Sequence, residues 1–156
     1  MVITSTNPSR NYEIIGSVEV SSENEIKNMV EKAHPVKKEW CEVGVAGRVK
    51  YLQKVYDALW ERRVEITEIA SKEMGFPKKQ QDEWDLGDGF NYFKWYLENA
   101  EAYLRSEITL DDVNERHTVY FEPAGVVAVI QPWNFPFCQW VLVGCTKFDS
   151  RKSSSF

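Results

Sequence analysis

Val126-Val127-Ala128-Val129-Ile130 sets five apolar residues in a row, most of them β-branched. A strand with apolar side chains on both faces belongs inside a parallel sheet that is covered by helices on either side. One such strand cannot make a sheet, so its neighbours are missing from the pattern. The rest of the chain has to be read around that demand.

Upstream, the periodicity is helical. Ser22-Glu23-Asn24-Glu25 is a capping box, and Ile26, Met29, Val30 and Ala33 follow at helical spacing up to Pro35. A second helix is predicted from about Ala46 to Ala70, with Val49, Leu52, Val55, Tyr56, Leu59, Ile66 and Ile69 on its buried stripe and Val64 off it. Lys50, Lys54, Glu61 and Arg62 face solvent on this reading. Helical sequence continues to Met74, and Gly75 and Pro77 end it. A third helix is predicted from about Gln80 to Leu104, with Trp84, Phe90, Phe93, Leu97, Ala100 and Leu104 on its stripe. Gly87 and Gly89 either weaken its start or allow close packing there. Asn7-Pro8 marks a turn, and Tyr12–Val20 holds one or two short strands. Glu107–Leu110 and Arg116–Glu122 read as a hairpin around Asp111–Asn114. The segment 137–145 is apolar, and from Lys147 the composition turns polar and serine-rich, as in a disordered tail.

Composition excludes several classes. Nineteen basic against 24 acidic residues give a net charge of −5, with no basic block for nucleic acid. No apolar run approaches the ~20 residues of a membrane span, and the first ten residues do not read as a secretory signal. Cys41, Cys138 and Cys145 are too few and too scattered for a disulfide framework, which fits a reducing, cytoplasmic setting. Two histidines and no Cys-x-x-Cys leave a zinc site almost no material. His34 and His117 have no partner constellation and read as surface residues.

The chemistry-bearing residues follow the apolar run. Gln131-Pro132-Trp133-Asn134-Phe135-Pro136 lies at its carboxyl end, where open α/β sheets bind ligands. Two prolines stiffen the loop, and the NH2 of Asn134 can donate to an oxyanion. By spacing alone the commoner outcome is a proline-bracketed turn whose asparagine satisfies its own backbone.

Together with Glu122-Pro123-Ala124-Gly125-Val126-Val127, this loop resembles the NAD(P)-dependent aldehyde dehydrogenases, for which Pro-Trp-Asn-Phe-Pro is a highly specific motif. Asn7-Pro8, Ile15-Gly16, the capping box, Trp40, Arg48, Glu61-Arg62-Arg63 and Glu73-Met74-Gly75 match in order, with Phe76 where the family usually has lysine. The resemblance covers about residues 6 to 140 and the amino-terminal third of the family's chain. It implies an α/β fold: an incomplete amino-terminal part of a Rossmann-type domain, with helices, a β-hairpin and one buried strand. It divides the chain into a helical part of a cofactor-binding domain (1–105), an oligomerisation-type hairpin (106–122), a buried strand with the loop and the next helix's start (123–143) and a divergent, disordered tail (144–156).

By the same resemblance, Asn134 is the oxyanion-hole asparagine, and Ile130, Gln131, Pro132 and Trp133 neighbour a bound NAD or NADP. The substrate is an aldehyde, and the hairpin is a surface for homo- or hetero-oligomers. The nucleophilic cysteine in its Gly-Gln-x-Cys setting, the general-base glutamate, the glycine-rich cofactor segment and the Lys-Pro pair have no counterpart. A one-base shift of a synonymous coding of residues 144–155 reads Val-Val-Gln-Asn-Leu-Ile-Val-Gly-Lys-Val-Val-Leu, which is similar to the family's continuation and suggests a frameshift. The expectation is a truncated chain, inactive alone, weak in cofactor binding, marginally stable and prone to associate.

Overall fold

A computed structural model describes residues 1–145 and 151–154. Strands β1 (Val2–Asn7) and β2 (Glu13–Glu19) form an antiparallel hairpin. The expected turn lies between them: buried Asn7 caps one 3-10 turn, its Oδ1 accepting from the Ser9 backbone at 3.0 Å and the Ser9 hydroxyl at 2.7 Å. The capping box starts α1 (Glu23–Ala33): Ser22 N donates to Glu25 at 2.7 Å and Glu25 N to Ser22 Oγ at 3.3 Å. The stripe of α1 is nevertheless exposed, Ile26, Met29 and Val30 included, because little packs against it.

A short helix, α2 (Val36–Glu42), was not expected. Pro35 ends α1 and also occupies the N-cap of α2, a place where a missing N–H costs nothing. The long second helix is two helices, α3 (Gly44–Glu61) and α4 (Arg63–Met74), broken at Arg62 (φ −96°, ψ 9°). The break explains why Val64 falls off the stripe; it is exposed. Gly75 caps α4 in the left-handed region (φ 69°), and a Cβ there would lie 2.9 Å from Pro8.

The third helix is continuous but not uniform. It runs from α5 (Lys78–Gln80) through a π-helical stretch (Gln81–Gly87) into α6 (Asp88–Tyr103). The wider π turns rotate the helix face, so the core stripe is Leu86, Phe90, Phe93, Leu97 and Ala100, and Trp84 lies exposed. The apolar core joins this stripe to Phe137 and Val141, with Val49, Leu52, Tyr56, Leu59 and Ile66 packed against it. Phe90 sits at its centre, its ring 5.4 Å from Tyr56, 5.0 Å from Trp60 and 4.7 Å from Phe137.

Arg63 ties α4 to the π stretch: its Nε donates to Asp82 Oδ1 at 2.8 Å, and Thr67 Oγ1 donates to the same oxygen at 3.0 Å. The Arg63 bond, reinforced by Thr67 and opposed by burial, holds the Asp82 carboxyl below its ordinary value. A folded value below the unfolded one gives a contribution that is present above the unfolded value, about 4, and lost as pH falls through the folded one. The stability difference between wild type and Asp82→Asn should therefore shrink in urea titrations carried below pH 4. A difference that stays constant from pH 7 to pH 3 would refute this.

The second hairpin is β3 (Glu107–Asp111) and β4 (Arg116–Pro123), closed by an Asx turn in which Asp112 Oδ1 accepts from Asn114 N and Glu115 N. The backbone of β5 (Arg151–Ser154) pairs antiparallel with β4, where disorder was expected. The free edge of β4 offers ladder partners to any extended segment, whatever its side chains. Gly144 and Cys145 of the expected tail are helical, and 146–150 and 155–156 lie outside the described residues.

Val126–Ile130 is not the buried strand that its composition predicts. It carries no ladder, and its side chains are exposed, Ile130 at 96%. The reason is the one already visible in the sequence: among the described residues no parallel strand stands beside it.

Candidate functional site

Gly125 turns the chain after β4 in the left-handed region (φ 93°), where a side chain would be strained. The apolar run and then the Gln131–Pro136 loop follow. Pro136 opens a short helix, α7 (Pro136–Gln139), which continues as π turns to Cys145. Proline suits a first helical position because its absent N–H would have no partner there.

The next two N–H groups do need acceptors, and they find one on another helix. Asp85 Oδ1 accepts from Cys138 N at 2.7 Å and Oδ2 from Phe137 N at 3.2 Å; the Gln81 side-chain amide also donates to Oδ2. Asp85 and Gln81 are each 1% exposed. Burial pushes the Asp85 carboxyl above its ordinary value, and the three N–H donors pull it back. A raised folded value means that its favourable contribution is present at acid pH and lost as pH rises through that value. Ionising this carboxyl therefore costs more in the folded chain than in the unfolded one, and the three donors offset part of that cost.

Close approach makes this contact possible. A Cβ on Gly89 would lie 2.6 and 2.8 Å from Phe137 ring carbons and 3.1 Å from Cys138 Cα. Of the two sequence readings of this glycine, close packing is therefore the one realised.

Asn134 is exposed, and its side-chain oxygen accepts from Gln139 Nε2 at 3.5 Å. Among the described residues its NH2 has no partner. The turn in which this asparagine satisfies its own backbone is thus not what forms. Gln131 is half-buried and donates to the Gln139 carbonyl, which folds the loop back on α7. Ile130, Pro132 and Trp133 are exposed. Sequence reading missed Asp85 and Gln81. Their signal was the four-residue spacing Gln81, Asp85, Gly89, Phe93, which lines two polar residues and a glycine up with a core aromatic.

Neither described thiol suits nucleophilic attack at this loop. Burial, with Asp85 and Asp88 nearby, pushes the Cys138 thiol up to about 11. Cys41 is exposed on α2, and the Cys145 side chain lies outside the described residues. His34 is exposed, and exposed His117 pairs with Glu115 at 3.2 Å. No cluster of metal-ligating side chains occurs among the described residues, and no helix there is long and apolar enough to cross a membrane.

A groove of about 590 Å³ lies between α2 and the run after β4. Its walls are Val36, Trp40, Val126, Val127, Val129 and Trp140, with Lys37 as the charged side chain. A dinucleotide needs donors for its pyrophosphate and hydroxyl acceptors for its ribose. This lining does not fit one.

Against known proteins, the chain is 30% identical over 116 residues to the succinate semialdehyde dehydrogenase [NAD(P)+] Sad of Escherichia coli, covering 74% of this chain and 25% of that one. It is 31% identical to the peroxisomal aminoaldehyde dehydrogenase 1 of Malus domestica, covering 80% and 26%. The chain thus spans about a quarter of the length of these curated relatives. Among solved structures, a putative aldehyde dehydrogenase from Burkholderia cenocepacia superposes with a TM-score of 0.86 at 20% identity, over 97% of this chain and 30% of that chain. PnpE in complex with nicotinamide adenine dinucleotide gives 0.86 at 22%, over 97% and 31%. These likenesses show the fold, a partial domain of helices and small antiparallel strand pairs. Because the model of the aldehyde dehydrogenase family matches residues 1–144, all but the last twelve, the chain belongs to that family.

Proposed function

We propose that this chain carries the oxyanion-stabilising part of an aldehyde dehydrogenase site, with Asn134 as the donor, and that it does not turn over aldehydes alone. The observation that carries the reading is the state of Asn134: an exposed carboxamide engaged through its oxygen, on a loop tied to α7, with the NH2 available. When a thiolate adds to an aldehyde carbon, negative charge develops on the former carbonyl oxygen. A fixed N–H aimed at that oxygen is worth roughly 3 kcal/mol. The chain supplies the N–H end of this chemistry. The raised Cys138 thiol supplies no thiolate at neutral pH, and neither it nor exposed Cys41 has the family's nucleophile setting.

Ile130, Gln131, Pro132 and Trp133 are the residues that would lie beside NAD or NADP in a completed site. The purified chain, assayed for aldehyde-dependent reduction of NAD and of NADP, should show no turnover above buffer. Turnover that copurifies with the chain and disappears on substitution of Cys41 or Cys138 would overturn this.

A second reading is favoured by the exposed β3 edge and the exposed Val126–Ile130 run. In it the chain is a non-catalytic partner that joins an intact homologous dehydrogenase through the 106–122 hairpin. Native mass spectrometry of the tagged chain with a full-length relative should then show mixed oligomers. Separate species at every ratio would leave only the first reading.

A further inference from the structure

Asp85 is a buried carboxylate on which three N–H groups converge. Two of these open α7, the helix that the Pro-Trp-Asn-Phe-Pro loop runs into. Helix starts leave N–H groups without partners, and a side-chain oxygen just before the helix usually takes them. Phe135, at the N-cap, has no such oxygen and makes no capping bond. The oxygen nearest in sequence is that of Asn134, an excellent capping residue type. It is engaged by the Gln139 side chain instead.

We infer that Asp85 is the positioning residue of this loop: it caps α7 from 52 residues away, and so frees Asn134 from capping its own helix. The inference rests on the reading of Asn134 as the oxyanion donor and supplies what that reading lacks, a reason for an asparagine before a helix to keep its NH2 unused. The geometry is specific to a carboxylate. Two oxygens accept from two successive N–H groups while Gln81 takes a remaining lone pair, and Gly89 lets the strand of contacts close. In the same side-chain orientation, an asparagine at position 85 would set an NH2 group instead of an acceptor against one of the two N–H groups.

Amide hydrogen exchange of the full chain, read residue by residue, tests this without any activity. Asp85→Ala should speed exchange at Phe137 and Cys138 at least about tenfold, the loss of charged bonds to buried N–H groups, with α3 amides unchanged. Asp85→Asn should keep one of the two protected and release the other. Should Asp85→Ala fail to fold, Asp85→Asn decides the matter alone. Asn134→Ala should leave both amides as slow as in wild type. Unchanged exchange in the Asp85 variants, acceleration spread evenly over all helices, or an Asn134→Ala effect as large as that of Asp85→Ala would each overturn the assignment. None of these outcomes bears on whether Asn134 meets an oxyanion. That reading stands or falls on turnover, so the two can fail separately.

Discussion

Phe90→Ala should lower the unfolding free energy by about 3–5 kcal/mol, the range for deleting a buried aromatic ring. Phe90 is 2% exposed, and three rings meet it edge-on or tilted, those of Tyr56, Trp60 and Phe137. Its loss opens a cavity at the point where α3, α6 and α7 come together and also removes those aromatic pairs, worth roughly 0.5–1.5 kcal/mol each beyond area. No neighbour can collapse into the space without leaving the others. Among the described residues the buried core is a small cluster, so little is held in reserve: small domains are held by about 5–15 kcal/mol in all. Exposed Val126, Val127 and Ile130 then make association of the unfolded or loosened chain the next step. Urea titration followed by circular dichroism, at low protein concentration, reads the change. Trp84→Ala, which removes a larger but exposed ring, is the comparison and should lose less than about 1 kcal/mol. Equal losses for the two would mean that the core is not where the packing places it.

Local chemistry was legible in the sequence, and phase along the long helices was not. The capping box before α1 and the turn at Asn7-Pro8 depend on two or three neighbouring residues, and both formed as read. The second hairpin and its aspartate turn were likewise local. The helix break at Arg62 escaped because each half keeps helical spacing, and only Val64 betrays the phase slip. The π stretch escaped for the same reason, which put Trp84 on the stripe in place of Leu86. The run Val126–Ile130, read as a buried strand that needs neighbours, forms no ladder among the described residues. Its exposure shows that need unmet among the described residues.

The site divides in the same way. Pro-Trp-Asn-Phe-Pro is contiguous, so its family and its candidate donor could be read directly. What holds it is tertiary. Asp85, braced by Gln81, lies more than fifty residues from the helix that it caps, and no local rule links an aspartate in one helix to the first turn of another. The four-residue spacing from Gln81 to Phe93 was the available clue. It says that polar side chains share a face with the core, but not what they bind there.

That spacing passes through Gly89, where a single methyl decides between two opposing effects. An alanine in a helix is favoured over glycine by about 1 kcal/mol, so an exposed position would gain from Gly89→Ala. Here the new Cβ would meet Phe137 ring carbons at 2.6 and 2.8 Å and Cys138 Cα at 3.1 Å. The ring cannot retreat freely, since it packs on Phe90 at 4.7 Å, and the Cys138 backbone is held by Asp85 at 2.7 Å. Overpacking of this kind costs about 1–3 kcal/mol, enough to outweigh the propensity gain. Gly89→Ala should therefore destabilise the chain by a net of up to about 2 kcal/mol, and it should loosen α7 and the Asn134 loop more than α3. Phe137→Leu shortens the obstructing ring, so adding it to Gly89→Ala should cost less than the two single losses combined. A double-mutant cycle in urea measures that coupling. A stabilising Gly89→Ala, or strict additivity with Phe137→Leu, would mean that α6 and α7 do not approach as closely as the Asp85 contact requires.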